Sequence, residues 1–213
     1  MPSNEIPLQP GRRYHIFNHA NGFENLFVNE GNYQFFLRKY ALYINPIADT
    51  FAYCLMPNHL HFCVRIKNEE ALFEYFRQSK SSESFKLSEG SAQLSNLLSH
   101  CFGNLFNSYA QAFNKQQSRR GNLFVSNFKR KEVASDRYFA HAIHYIHYNP
   151  VHHDFVLHPA EYPHSSFIGL LSDKPTHLCR TEVLDFFGGR DHFLKRHHLA
   201  PDDAIVKLVL EGL

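Results

Sequence analysis

Asn58-His59-Leu60-His61-Phe62-Cys63-Val64-Arg65-Ile66-Lys67 is the stretch on which the reading of this chain turns. With a period of two it is a strand with unlike faces. Leu60, Phe62, Val64 and Ile66 point one way, suited to a core, and His59, His61, Cys63, Arg65 and Lys67 point the other. Histidines at i and i+2 stand side by side on one strand face, and a pair of imidazoles suits Zn, Mn, Co or Ni.

The surrounding segments supply a sheet for this strand. Residues 50–56 (Thr-Phe-Ala-Tyr-Cys-Leu-Met) read as a strand, and the Pro57-Asn58 turn is so short that the two strands must be antiparallel neighbours. Upstream, residues 12–20 alternate around Tyr14 and Ile16 and end at the turn signal Asn21-Gly22. Residues 32–44 carry apolar side chains at helical spacing until Asn45-Pro46 stops them. Downstream, residues 70–78 form a short helix and serine-rich residues 79–91 an exposed flexible loop. Residues 94–114 resume helical spacing, and 122–133 read as a fourth strand. Ser135 and Asp136 can cap a helix over 137–148, closed by Asn149-Pro150. The order is βαββαβ, an α+β fold of ferredoxin-like, split type. It predicts a mainly antiparallel sheet with helices on one face and the last helix across the other. Domain boundaries follow at 1–158 for this unit and 159–213 for a C-terminal extension without a clear second core.

The helix after Ser135 divides into two sides at about 100° per residue. Phe139, Ala140, Ile143 and Ile146 are expected to pack on the sheet. Tyr138, His141, Ala142, Tyr145, Tyr148 and Asn149 gather opposite, with Tyr145 and Asn149 one turn apart. Two imidazoles and an amide oxygen can hold a divalent metal with positions left open for substrate oxygens. Such an ion offsets the charge developing on an attacked phosphodiester. A tyrosine hydroxyl beside a cation becomes a better nucleophile. By position alone Tyr138, Tyr145 and Tyr148 compete for that role, and His141 is either an auxiliary ligand or a solvated helix residue.

Composition sets the outer bounds. At 213 residues, 44% apolar and 20% charged, the chain is an ordinary globular mix that needs no metal or disulfide staple to fold. The net charge is only +2, so bulk charge does not announce a nucleic-acid binder. Sixteen histidines make the charge rise steeply below about pH 6.5. The polar, proline-broken start has no secretory pattern, and no apolar run reaches the roughly 18 residues of a membrane span. The four scattered cysteines read as buried thiols, and a cytoplasmic protein is expected.

Three segments in fixed order resemble one family. They are Leu55-Met56-Pro57-Asn58-His59-Leu60-His61-Phe62, Tyr145-Ile146-His147-Tyr148-Asn149-Pro150-Val151 and Glu161-Tyr162-Pro163-His164-Ser165-Ser166. The pattern is similar to that of the single-tyrosine HUH transposases, and closer to their REP-associated branch than to the insertion-sequence branch. The resemblance implies metal ligation by His59 and His61 and attack by Tyr145, which becomes joined to a DNA 5′ phosphate. Asn149 matches a polar ligand for which the insertion-sequence branch usually has glutamine. It further implies Mg or Mn as cofactor, single-stranded or hairpin DNA as partner, and either a homodimer or a monomer.

Arg119, Arg120, Lys129, Arg130 and Lys131 are candidate phosphate contacts. Phe124 and Phe128 either stack on bases or pack in the core. His152-His153 and His197-His198 are read as surface pairs. Two other functions use the same residues. A histidine-triad nucleotide hydrolase alternates histidines on a strand, although Cys63 stands at the third position here. A domesticated hairpin-binding protein would keep the site without cleaving.

Overall fold

The computed structural model describes residues 6–78, 91–125 and 127–201. Four strands, β1 (Arg13–His19), β2 (Ala48–Leu55), β3 (His59–Ile66) and β4 (Lys129–Glu132), form one sheet in the order β2-β3-β1-β4. Every neighbouring pair is antiparallel, so the expected split βαββαβ fold is present. β1 and β2 run parallel with β3 between them, and α1 (Glu30–Tyr43) makes the crossover. The Asn29 side chain caps α1 by accepting the Asn32 N–H, which satisfies one of the free donors of the first turn.

The two faces of β3 enter two different cores. Leu60, Phe62, Val64 and Ile66 join the first cluster with Phe36 and Tyr40 of α1, Leu72 of α2 (Glu69–Gln78), and Leu98, Phe102 and Tyr109 of α3 (Ser91–Gln116). Cys63 lies in a second cluster with Phe51, Cys54 and residues of α4 (Asp136–His152). α4 therefore lies across the opposite face from α1 and α3.

Four expectations are revised. α4 continues through Pro150 to His152; a proline forfeits one backbone donor, yet the turn holds because His153 N–H donates to Asn149 O at 3.1 Å. The two-sided pattern of α4 gives way to burial nearly all round, with His144 and His147 fully buried and Ala140 only half-buried. The cause is the C-terminal segment, which supplies the second core that periodicity did not reveal. Its α5 (Phe167–Leu171), α6 (Arg180–Phe186) and α7 (Arg190–His197) bring Phe167, Leu170, Val183 and Phe193 against α4. Finally, the fourth strand is short, because Asn127 adopts φ 61°, a left-handed conformation that breaks a ladder. The serine-rich loop expected at 79–91 lies outside the described residues, except that Ser91 opens α3.

The C-terminal segment also closes the outer edge of β2, which would otherwise expose unpaired backbone. Leu55 N–H donates to His164 O, Ser166 N–H to Tyr53 O and Cys179 N–H to Thr50 O, each at 2.9 Å. Tyr162 Oη donates to Leu55 O at 2.8 Å, and the His164 ring stacks on Tyr33 at 3.4 Å. Ser166 Oγ reaches His147 Nε2 at 2.7 Å, and His147 Nδ1 reaches His197 Nε2 at 3.0 Å. His197 Nδ1–H donates to Phe193 O at 2.8 Å. His197, expected at the surface, is thus buried in a chain of hydrogen bonds.

That chain requires neutral imidazoles. Burial pushes His144 down to about 4 and His197 down to about 3, and pushes His147 well below the ordinary 6.5. The unfolded chain binds these protons more readily than the fold, so their stabilisation is complete above about pH 6.5 and is lost as pH falls toward the folded values. Each extra proton taken up on unfolding changes stability by about 1.4 kcal/mol per pH unit. The urea midpoint should therefore be clearly lower at pH 5 than at pH 7.5, and an unchanged midpoint would contradict neutral burial.

Candidate functional site

The site begins with register. β1 and β3 pair His19 with His59, Phe17 with His61 and His15 with Cys63, and directly opposed residues of an antiparallel pair share a face. His15, Phe17 and His19 therefore lie on the same face as His59 and His61. β4 extends this face, since Phe17 pairs with Lys129 and His15 with Lys131. The result is a shelf of imidazoles with two lysines on the neighbouring strand.

α4 comes down on this shelf. His59 Nε2 lies 2.7 Å from Asn149 Oδ1, and His59 Nδ1 lies 2.8 Å from Asn58 Oδ1. The Tyr145 ring stands edge-on to His61 at 5.5 Å and to His15 at 6.3 Å. His61 Nδ1 is 3.0 Å from His15 Nε2, with the rings stacked. The His19 ring lies parallel to His59 at 5.9 Å, and His153 meets His59 edge-on at 5.0 Å. The structure thus brings together His59, His61, Tyr145 and Asn149 as expected, with His15, His19 and His153 added.

Those three histidines were missed. His15 and His19 carry a legible signal, since His15-x-Phe17-x-His19 alternates on a strand just as the β3 pair does. His153 is exposed, as its expected place at the surface requires, and its ring also meets His59 from the end of α4.

Unsatisfied polar atoms concentrate here. Seven buried side-chain nitrogen or oxygen atoms among the described residues have no hydrogen-bond partner, and four of them are His15 Nδ1, His61 Nε2, Tyr145 Oη and Asn149 Nδ2. Buried polar atoms seek partners, and their clustering singles out this place as a candidate site. Burial pushes His59 down to about 4, with Asn149 opposing and His153 and His19 adding to the shift. It pushes His15 to about 3, with Lys131 contributing, and His61 well below its ordinary value, with His15 and His59 contributing. All three are neutral at pH 7, the state in which imidazole offers a lone pair to a metal. Burial also holds the Tyr145 phenol well above its ordinary value, with Asn149 opposing.

Among the described residues, no group of three or more His, Cys, Asp or Glu side chains is arranged to hold a metal. The set here is different in kind, being two imidazoles and the carboxamide oxygen of Asn149. Its donors fit a divalent ion, since an orphaned buried nitrogen on His61 stands beside the His59–Asn149 contact.

The remaining candidates separate. The Tyr148 ring meets His144 rather than the shelf. Tyr138 is half-buried, with burial raising its hydroxyl to about 12. His141 faces α7, with Nδ1 3.2 Å from Arg196. Arg130 turns to the other side of β4, is buried, and donates to Ile6 O and to Ser99 Oγ, so it has a fixed place in the α3 layer. Arg119 pairs with Glu24 at 2.6 Å, and Arg120 is exposed. Phe124 and Phe128 are buried in the first core.

No family model and no curated protein matches this chain. A solved structure of a REP-associated tyrosine transposase bound to a REP hairpin is similar in fold, with a TM-score of 0.59 at 14% identity. The match covers 82% of this chain and 89% of that one. At such identity the likeness concerns the fold alone.

The Asn149 contact has a measurable energetic consequence. Asn149→Ala leaves His59 Nε2 buried without a partner, which should lower stability by about 1–3 kcal/mol in urea denaturation. Wild-type stability in that variant would show that the contact holds nothing in place.

Proposed function

We propose that this chain cuts and rejoins single-stranded DNA bearing a hairpin, through a tyrosine nucleophile and with a divalent metal, Mg or Mn. One observation carries the reading. α4 sets Asn149 Oδ1 2.7 Å from His59 Nε2 while Tyr145, one turn earlier, lies against His61. Nucleophile and donors therefore share one small, buried volume. The fold likeness to a transposase bound to a REP hairpin supports DNA of that kind as partner.

His59, His61 and Asn149 would hold the ion, whose charge would offset that developing on the phosphodiester. Tyr145 Oη attacks phosphorus as its proton departs, an Oη–P bond forms, and the bond from phosphorus to the 3′ oxygen breaks. That oxygen takes up a proton and leaves as a 3′ hydroxyl, while the 5′ phosphate stays on tyrosine. The phosphotyrosine keeps the bond energy, so the reverse attack by a 3′ hydroxyl rejoins a strand. Lys129 and Lys131, beside the shelf, suit the flanking phosphates.

His15 is assigned a positioning role. A metal-ligating imidazole usually donates its second N–H to an outer partner, which fixes its tautomer. His61 Nδ1 lies 3.0 Å from His15 Nε2, so the tautomer of His61 with its proton on Nδ1 would donate to His15 and leave Nε2 as the lone pair for the ion. Replacing His15 by Phe should weaken Mn binding about 10–100-fold, read by calorimetry, whereas unchanged affinity would remove His15 from the role.

The histidine-triad alternative is weak, because burial pushes the thiol at its third position, Cys63, up to about 12. The direct test uses labelled hairpin-bearing strands with Mn. Wild type should form a covalent adduct that chelation abolishes. Tyr145→Phe should lose the adduct by at least 1000-fold yet keep its fold, since the ring keeps its packing in the second core and its edge contact with His61. An unchanged adduct in that variant removes Tyr145 as nucleophile. Hairpin binding that survives chelation with no cleavage at any metal concentration identifies a silent, DNA-holding protein.

A further inference from the structure

The turn of α4 that carries Tyr145 and Asn149 is weakly secured by its own backbone. Pro150 lies inside the helix and has no N–H to donate to the Ile146 carbonyl four residues earlier. The roll of this turn about the helix axis therefore depends on side chains. At about 100° per residue, Tyr145 and Asn149 lie on one side and His147 on the opposite side. In front, Asn149 Oδ1 lies 2.7 Å from His59 Nε2. Behind, His147 is gripped by the Ser166–His147–His197 chain, with the Phe167 and Phe193 rings edge-on at 5.6 and 5.9 Å.

The direction of that chain follows from its end. The Phe193 carbonyl only accepts, so the neutral His197 ring carries its proton on Nδ1 and offers Nε2 as an acceptor. His147 then donates from Nδ1 and accepts at Nε2, and Ser166 Oγ–H is the donor to it. Ser166 Oγ in turn accepts the Tyr53 N–H at 2.8 Å. The bonds run one way from β2 to α7, and buried hydrogen bonds in series strengthen one another.

Ser166 refers α4 to the sheet, because its own N–H also donates to Tyr53 O of β2 at 2.9 Å. The neighbouring bond from His144 to Leu199 O, at 2.9 Å, gives no such reference, since Leu199 is exposed and lies beyond α7.

The rear anchor gains weight from the proposed function, on which this inference rests. If His59 and Asn149 ligate an ion, they give up their bond to each other, and the front of the turn is no longer held by it. We propose that Ser166 and His147 are positioning residues. They fix the roll of the last turn of α4 from behind, so that Tyr145 and Asn149 still face the histidine shelf when the ion has taken the place of the His59–Asn149 bond.

The test compares Ser166→Ala, His147→Leu and His147→Gln with wild type in the full chain. Leucine offers no polar atom and leaves Ser166 Oγ with Tyr53 O at 3.3 Å, whereas glutamine keeps an acceptor and a donor. Three quantities are read: Mn affinity by calorimetry, the Tyr145–His61 ring contact by nuclear Overhauser effects with and without Mg, and kcat and KM for adduct formation on a hairpin-bearing strand. Ser166→Ala and His147→Leu should bind Mn about tenfold more weakly and lose the ring contact when Mg is added. Their kcat should fall about 100-fold, as for a nucleophile displaced by about 1 Å, with KM changed less than twofold. His147→Gln should stay close to wild type in all three. The Tyr40–Phe62 ring contact of the first core, at 4.6 Å, reports whether a variant is folded. Ser166→Cys, with a weaker donor, replaces a variant that fails this check and should fall between alanine and wild type.

Wild-type values in Ser166→Ala and His147→Leu overturn the proposal, as does a glutamine variant no better than the leucine one. A wild-type chain that binds neither Mn nor Mg removes the metal reading and this inference with it, and that result is read before any variant is compared.

Discussion

The contact between His59 Nε2 and Asn149 Oδ1, at 2.7 Å and out of water, is the constraint on which this structure depends. It joins the middle of the sheet to the last turn of α4, and so fixes where Tyr145 stands. A buried imidazole needs a partner or a ligand, and Asn149 is a partner that is also an oxygen donor. Under the proposed function the same two atoms would turn to one ion.

Holding α4 there requires cover on its outer side. α5, α6 and α7 provide it, through Phe167, Leu170, Val183 and Phe193 and through the Ser166–His147–His197 chain. The Tyr162-Pro163-His164-Ser165-Ser166 segment thereby gains a physical role. It ties the edge of β2 to α4 through Ser166, which bonds both Tyr53 O and His147 Nε2. The C-terminal residues belong energetically to the site even though none of them lines the histidine shelf.

Much of this was legible in the sequence, for reasons that also explain what was not. The two-faced β3 strand and its short turn gave the sheet, because period-two alternation is strong when each face enters a different core. That Tyr145 and Asn149 would be neighbours was legible because helical spacing places i and i+4 together, whereas the choice of Tyr145 over Tyr138 and Tyr148 rests on the family resemblance. The burial of α4 on nearly every side was not, because its cover consists of short helices whose few apolar positions show no sustained period. His15 was overlooked because its value comes from cross-strand register, and register depends on pairing that one strand alone does not reveal. Arg130 was grouped with Lys129 and Lys131 as one basic run, although alternation along β4 sends it to the opposite layer, bound to Ile6 O and Ser99.

The central claim is that the shelf of histidines serves a tyrosine on the helix above it. The most direct measurement is to incubate the wild-type chain with Mn and a labelled hairpin-bearing strand, digest the product, and identify by mass spectrometry the residue carrying the nucleotide. The account predicts a phosphate ester on Tyr145 and on no other side chain. A nucleotide on His61, on Tyr138 or on Tyr148, or cleavage with no attached nucleotide at all, would contradict it.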